Sequence, residues 1–591
     1  MKKSTLALSI AAAIGGLGLA GNALAVTDSL TGAPANSVLA LNHNGIGHQL
    51  IFPYFTAQNG NATLLTITNT DTANGKLVKV RFRGAANSDD LYDFQVALSP
   101  GDIWTAAVTK DATTGAASLA TSDKSCTLPA SVNGNFNLDR VDGRAPGQTL
   151  EGYVEVINMA NIAPNASGST VFTTGLFTAI KHVSGVAPCT AAVLASKLGA
   201  DNTNANLTAT QADGSNAVGL AAPTTGLTGD WIIMNQLTTA AWSGVASALE
   251  VQTSSTNSAP VAGNLVFYPQ TTGTPRINST AVAAATAATG QNMHVVTADP
   301  LLVSGVVAIQ NYDLPDLSTP YAASATIAAT QADNTAALLA VKSVSNQYVT
   351  DTAIAAVTDL LMTQPMRRYS AAVNYKSLAT TSALGVTTSY PFNTTGSVAT
   401  PIYRASWGTG VDAAGTTAGT TGYIGVATAH YGPSAGLTGT AITATASAAA
   451  NLTIPSGTRN LCLTTVKAPG SLTIFDREEI TPSSSSTTSF IISPATPAAS
   501  ASVRVCGEAA VISINNGGTT GVSALGASLA RSDFTSSSLA TYNNGWVVFE
   551  TNNGLAISSG GTGIPVLGQS FIRAANGSVN YGFGYSNKVT R

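Results

Sequence analysis

Residues 77–84 read Leu-Val-Lys-Val-Arg-Phe-Arg-Gly, and their alternation decides the fold class. Val78, Val80 and Phe82 alternate with Lys79, Arg81 and Arg83. A period of two puts successive side chains on opposite faces of a strand. It predicts a half-buried antiparallel strand whose basic residues form the outer face. The pattern recurs at Phe94, Val96 and Leu98, at Leu65 and Ile67 between Thr66 and Thr68, and at Val154 and Val156. Residues 265–268 and 546–549 read as shorter, more continuous apolar strands.

Asn-Gly pairs punctuate these strands. They begin at Asn44, Asn59, Asn74, Asn133, Asn516, Asn544, Asn553 and Asn576. Both residues accept the positive φ of a tight type I′ turn, so each pair predicts a hairpin. The middle of the chain differs. Residues 199–229, 271–292, 321–340 and 410–450 are rich in Ala, Thr, Gly and Ser and read as long surface loops or low-complexity inserts, with a further Ser/Thr loop at 481–489. Short helices are expected at 191–198, 335–344 and 353–361. Together these signals predict an all-β protein of β-sandwich domains, Ig-like or jelly-roll, with long loops and a few short helices. The expected divisions are a signal peptide at 1–25, an N-terminal sandwich at 26–195, a central β region at 196–350, a second at 351–470 and a C-terminal one at 471–591.

The beginning of the chain reads as an export signal. Lys2 and Lys3 precede an apolar run over residues 6–20, and Ala23-Leu24-Ala25 is a small-x-small cleavage site, so Val26 is expected to start the mature chain. No later stretch reads as a membrane-spanning helix. Only 9% of the 591 residues are charged and mean hydropathy is +0.21, where ordinary soluble domains carry about 25% charged residues. With net charge −3 and nothing basic concentrated, no nucleic-acid surface is expected. Such a surface repels its neighbours weakly and suits self-association. Export makes disulfides the default for the four cysteines. Of the three connectivities, Cys126–Cys189 and Cys462–Cys506 are expected, because each pair lies within one local region. No cysteine spacing suits zinc.

Several stretches carry a resemblance. They include LALNHNGIGHQLIFPYFTAQNGNATLLTITNT, VKVRFRGAANSDDLYDFQVALSPGDIW, LEGYVEVINMA, GLFTAIKHVSGVAPC, NLVFYPQ, TDLLMTQPMRRYSAAVNY and GIPVLGQSFIRAANGSVNYGFGYSNK. Together they resemble a family of secreted proteobacterial "cell surface proteins" that look like surface-layer subunits. The resemblance implies a place outside a Gram-negative cell and supplies no catalytic residues.

Sites for chemistry are sparse. There are five histidines, and no HExxH, GxSxG, SxxK, P-loop or dinucleotide fingerprint with its context. An enzyme is therefore not expected. His43 and His48 flank a Gly-rich turn and read as a polar loop more readily than as a metal pair. His182 is expected to pack beside the Cys126–Cys189 disulfide. Asp89, Asp90 and Asp93, in a loop between two strands, form the candidate calcium site, because calcium takes several oxygens from one loop; self-capping of the turn is the competing reading. Further acidic clusters lie at Asp139 and Asp142, at Asp313 and Asp316, and at Asp476, Glu478 and Glu479. Arg367-Arg368 reads as an inter-strand ion pair or as a contact to lipopolysaccharide. Trp104, Trp231, Trp242, Trp407 and Trp546 read as core before sugar platforms. The leading functional expectation is a structural surface protein that self-associates into a layer or coat, with lipopolysaccharide or envelope glycans as partners. An adhesin or glycan-binding protein is the alternative. An outer-membrane β-barrel is the second, weakened by 6% aromatic content where barrels need aromatic girdles.

Overall fold

The computed structural model describes residues 37–85, 90–138, 145–164, 175–198, 219–263, 338–365, 508–516, 522–529, 531–536, 543–550 and 564–591, with short strand fragments outside these stretches. The chain is all-β. The strands of its first half are β1 Val38–Asn42, β2 Gln49–Thr56, β3 Asn61–Asn69, β4 Gly75–Gly84, β5 Asp90–Leu98, β6 Ile103–Lys110, β7 Ala117–Ala120, β8 Cys126–Leu128, β9 Gly134–Asn135, β10 Glu151–Ile162, β11 Leu220–Ala221, β12 Leu227–Asn235, β13 Ala241–Val245, β14 Ser247–Ser254 and β15 Asn257–Pro260. A nine-stranded sheet runs in the order β15-β14-β2-β10-β4-β5-β8, with β1 on β14 and β11 on β10. A six-stranded sheet runs β9-β7-β6-β3-β12-β13. All these pairings are antiparallel.

The two sheets make a sandwich because the alternation selects one apolar face of each. Val78, Val80 and Phe82 of β4, Phe94 and Val96 of β5, and Val154 and Val156 of β10 meet Leu65 and Ile67 of β3, Trp104 of β6 and Trp231 of β12 in one core. Phe55, Phe82 and Phe136 pack edge-on or tilted with centroids 5.0–5.8 Å apart, and Tyr92 stacks on Phe136 at 5.3 Å.

The second half supplies β16 Ser343–Val349, β17 Val357–Thr363, β18 Leu472–Asp476, β19 Ala509–Asn516, β20 Arg531–Ser536, β21 Asn544–Glu550, β22 Gln569–Asn576, β23 Val579–Ser586 and β24 Lys588–Thr590. One five-stranded sheet runs from Ala499–Ala501 through β18, β21 and β16 to β24; another runs β20-β19-β17-β22-β23. β19 and β20 are parallel. Leu360, Met362, Ile512 and Ile514 of one sheet share a cluster with Val344, Tyr348, Val547 and Phe549 of the other. Among the described residues no sheet closes into a barrel, and no helix is long and apolar enough to cross a membrane.

Several expectations need correction. The basic residues of β4 do not face solvent: Lys79, Arg81 and Arg83 are all buried. Alternation distinguishes two faces but leaves open what covers the second. Of the helix expected at 335–344, residues 335–337 lie outside the described residues, Leu338 and Leu339 are helical, and strands follow at Ala340–Val341 and β16; that expected at 353–361 gives way to a single 3-10 turn, Thr352–Ile354, followed by β17. Ala and Leu favour helix locally, but burial between sheets overrides so weak a preference. The helix at Ala191–Leu198 is present, beside a shorter one at Leu176–Ile180. Sheet pairing also runs across residue 195: β12 and β14, beyond it, pair with β3 and β2. The signal peptide, the Ala/Thr-rich inserts at 271–292 and 410–450, Arg367-Arg368 and Trp407 lie outside the described residues.

Candidate functional site

The expected calcium loop is only partly described. Asp90 pairs with Arg83 at the start of β5. Asp93 lies opposite Arg81, and its carboxylate meets Lys79 Nζ at 2.9 Å. A calcium ion there would share Asp93 with that ammonium. Asp89 and the side chain of Asp90 lie outside the described residues.

Cys126 and Cys189 form a disulfide with Cα atoms 5.2 Å apart. Cys462 and Cys506 face each other in register on the antiparallel fragments Cys462–Leu463 and Val505–Cys506. His182 approaches Asp102 at 3.5 Å and Ser99 Oγ at 3.2 Å. His48 is not in a polar loop: it is fully buried, accepts a hydrogen bond from the Val251 N–H at 3.2 Å, and is separated from the exposed His43. Burial, then the nearby Lys76 charge, pushes its pKa down to about 3. The ring is neutral at physiological pH. Trp104, Trp231 and Trp242 are core residues as expected. Trp546 is not: it is exposed and stacks on Phe475 with centroids 4.2 Å apart.

The most distinctive surface feature was not singled out from sequence as a site. β23 reads Val-Asn-Tyr-Gly-Phe-Gly-Tyr-Ser, and Val579, Tyr581, Phe583 and Tyr585 all project from one face, 42–49% exposed. The strip is about 20 Å long at the usual rise of a strand. The opposite face carries Asn580, Gly582, Gly584 and Ser586, and it has no room for a side chain at Gly582. A Cβ at Gly582 would lie 2.1 Å from the Ala241 carbonyl oxygen of β13. The glycines therefore seat β23 directly on β13 and turn the rings outward. The usable signal was the strict alternation of large apolar residues with small or polar ones.

β23 is also an edge. Among the described residues it pairs with β22 alone. Natural edges are normally guarded by charge, proline or a bulge. Residues 579–586 contain neither charge nor proline, and their register with β22 is unbroken. The outer face of the six-stranded sheet is similarly lean in charge. It exposes Ile103, Ile232, Met234 and Val245 among threonines such as Thr66 and Thr105. No group of three or more metal-ligating side chains occurs among the described residues. No family model, curated protein or solved structure matches this chain.

Proposed function

We propose that this is an exported structural protein that assembles laterally with copies of itself into a layer or coat on the cell exterior. The observation that carries the reading is the unguarded aromatic edge of β23. An edge strand offers a row of backbone donors and acceptors, and its exposed rings offer apolar area; both are satisfied by a second copy of the same edge. The scarcity of charge supports this, since little long-range repulsion opposes close packing. Calcium at Asp89, Asp90 and Asp93 belongs to the same proposal as a link between copies, as do lipopolysaccharide or envelope glycans as the surface to which the layer attaches.

The double substitution Tyr581→Lys, Phe583→Lys tests it by placing two charges on the edge without touching the glycine face. Sedimentation of the purified chain is expected to shift from large assemblies to monomer, with Tm unchanged. Assemblies of unaltered size would contradict the role of this edge. The same rings also favour a second reading, glycan binding, because Tyr faces stack on sugars and their hydroxyls hydrogen-bond to them. A chain that is monomeric in both forms, and loses glycan retention on substitution, would replace the first reading with the second.

A further inference from the structure

Lys76 is the second residue of β4 and Asn161 lies near the end of β10, and the antiparallel register sets them directly opposite each other. The Lys76 side chain is fully buried. Four acceptors crowd within hydrogen-bond distance of its Nζ and share its three N–H groups: Asn161 Oδ1 at 2.7 Å, Thr224 Oγ1 at 2.6 Å, the Thr224 carbonyl at 2.9 Å and Asp71 Oδ2 at 3.1 Å. Asp71 sits in the turn before β4, fixed by the N–H groups of Ala73 and Asn74 on its Oδ1, each at 2.9 Å. The Asn161 amide is held from both ends. Its Oδ1 accepts the Thr224 N–H at 3.1 Å, and its Nδ2 donates to Thr224 Oγ1 at 3.0 Å. The Thr224 hydroxyl in turn donates to Asp71 Oδ2 at 3.0 Å. An amine, a primary amide, a carboxylate and a bridging hydroxyl thus close on one another inside the sheet.

We propose that this cluster is the site of an autocatalytic cross-link, in which Lys76 Nζ displaces ammonia from the Asn161 side chain to leave an intramolecular isopeptide bond. The Asp71 carboxylate takes one proton from the Lys76 ammonium. The freed lone pair on Nζ attacks Asn161 Cγ, the carbonyl carbon about 1.2 Å beyond the Oδ1 that Nζ already touches. Charge developing on Oδ1 falls against the Thr224 N–H, a donor aimed there in advance. As the Nζ–Cγ bond forms and the Cγ–Nδ2 bond breaks, Nζ passes a second proton to the Thr224 hydroxyl, which gives its own to Nδ2. Ammonia departs and carries off the Asp71 proton as ammonium. One ammonium and one primary amide become one secondary amide and one ammonium, so atoms and charge balance without oxidant or cofactor.

The protonation states fit. Burial brings the Lys76 pKa down to about 8 against the opposing pull of Asp71, so the free amine is accessible in mildly alkaline solution. Burial alone would raise the Asp71 pKa, but hydrogen bonds from Asn74 and Ala73 and the Lys76 charge outweigh it and hold the carboxylate well below its usual range, so it takes the Lys76 proton only in passing and hands it to the departing ammonia, the stronger base. The bond would tie two central strands of the large sheet, a use that does not depend on self-assembly.

The test is mass spectrometry of the full mature chain, denatured and reduced, after incubation in mildly alkaline buffer. The expected result is an intact mass short by one ammonia and a branched proteolytic peptide joining residues 76 and 161. Lys76→Arg should restore the full mass, and Asp71→Asn, folded by circular dichroism, should form the branch about 100-fold more slowly, the usual scale for a lost proton acceptor. Linear peptides containing Lys76 and Asn161 from a chain of full mass would overturn the proposal. Ammonia loss mapped instead to an Asn-Gly pair, where a succinimide can form, would overturn it too, as would a branch forming equally fast in Asp71→Asn.

Discussion

Arg81 stands between Glu155 on one neighbouring strand and Asp93 on the other, all on the face of β4 that sequence alternation assigned to solvent. The alternation itself was legible at Lys79, Arg81 and Arg83; their burial was not, because a nine-stranded sheet can be covered on both faces. Buried charge is tolerated when it is matched across strands. Lys79 meets Asp93 at 2.9 Å and Arg83 meets Glu155 at 3.5 Å. Glu155→Leu would leave a buried guanidinium without this carboxylate and should destabilise the fold by about 3–5 kcal/mol, measured by urea unfolding. A loss under about 1 kcal/mol would mean that Arg83 gains nothing from it. His48 makes a prediction about pH. Its folded pKa is depressed, so in acid the unfolded chain takes up the proton first. Its contribution is fully present above about pH 6.5, and falls away progressively toward about pH 3. His48→Gln should flatten the dependence of Tm on pH across that window; parallel profiles for the two chains would contradict the assignment of a buried neutral ring.

Among the elements, the Asn-Gly pairs were legible as reversals but not as pairings. Asn59 and Gly60 take positive φ, 48° and 82°, as a tight turn requires. Yet the strands they join, β2 and β3, belong to different sheets, so the turn is a corner of the sandwich. Asn74-Gly75 likewise carries the chain from β3 back to β4 in the other sheet. Asn576-Gly577 does close a hairpin, with Asn576 opposite Val579. Local dihedral preference fixes where the chain bends; which strand it then joins depends on long-range packing. β23 is held to β13 by such packing. Gly582→Val would drive a side chain into the Ala241 carbonyl and should cost about 1–3 kcal/mol, seen as a lower Tm and faster proteolysis of the segment after Asn576. An unchanged Tm would show that β23 is not seated as described.

At the scale of the whole molecule, the two halves interlock through Phe571. Its ring lies 6.0–6.2 Å from Tyr54, Trp231 and Trp242, and Trp242 Nε1 donates to the Ile572 carbonyl at 3.0 Å. Asn61 Nδ2 donates to the Leu525 carbonyl at 2.6 Å, and Gln58 Oε1 accepts from Ser528. None of these partners is close in sequence, so local alternation and turn signals could establish the all-β class while the joining of residues 49–61 to 525–572 stayed hidden. The result is one body with an aromatic edge turned outward and few charges to keep copies apart. The proposed layer is tested by electron microscopy of cell envelopes from strains expressing the native chain or the Tyr581→Lys, Phe583→Lys variant. An ordered layer is expected with the native chain and its loss with the variant, both chains being exported equally. A bare envelope in both strains, with the native chain recovered as a monodisperse monomer, would contradict it.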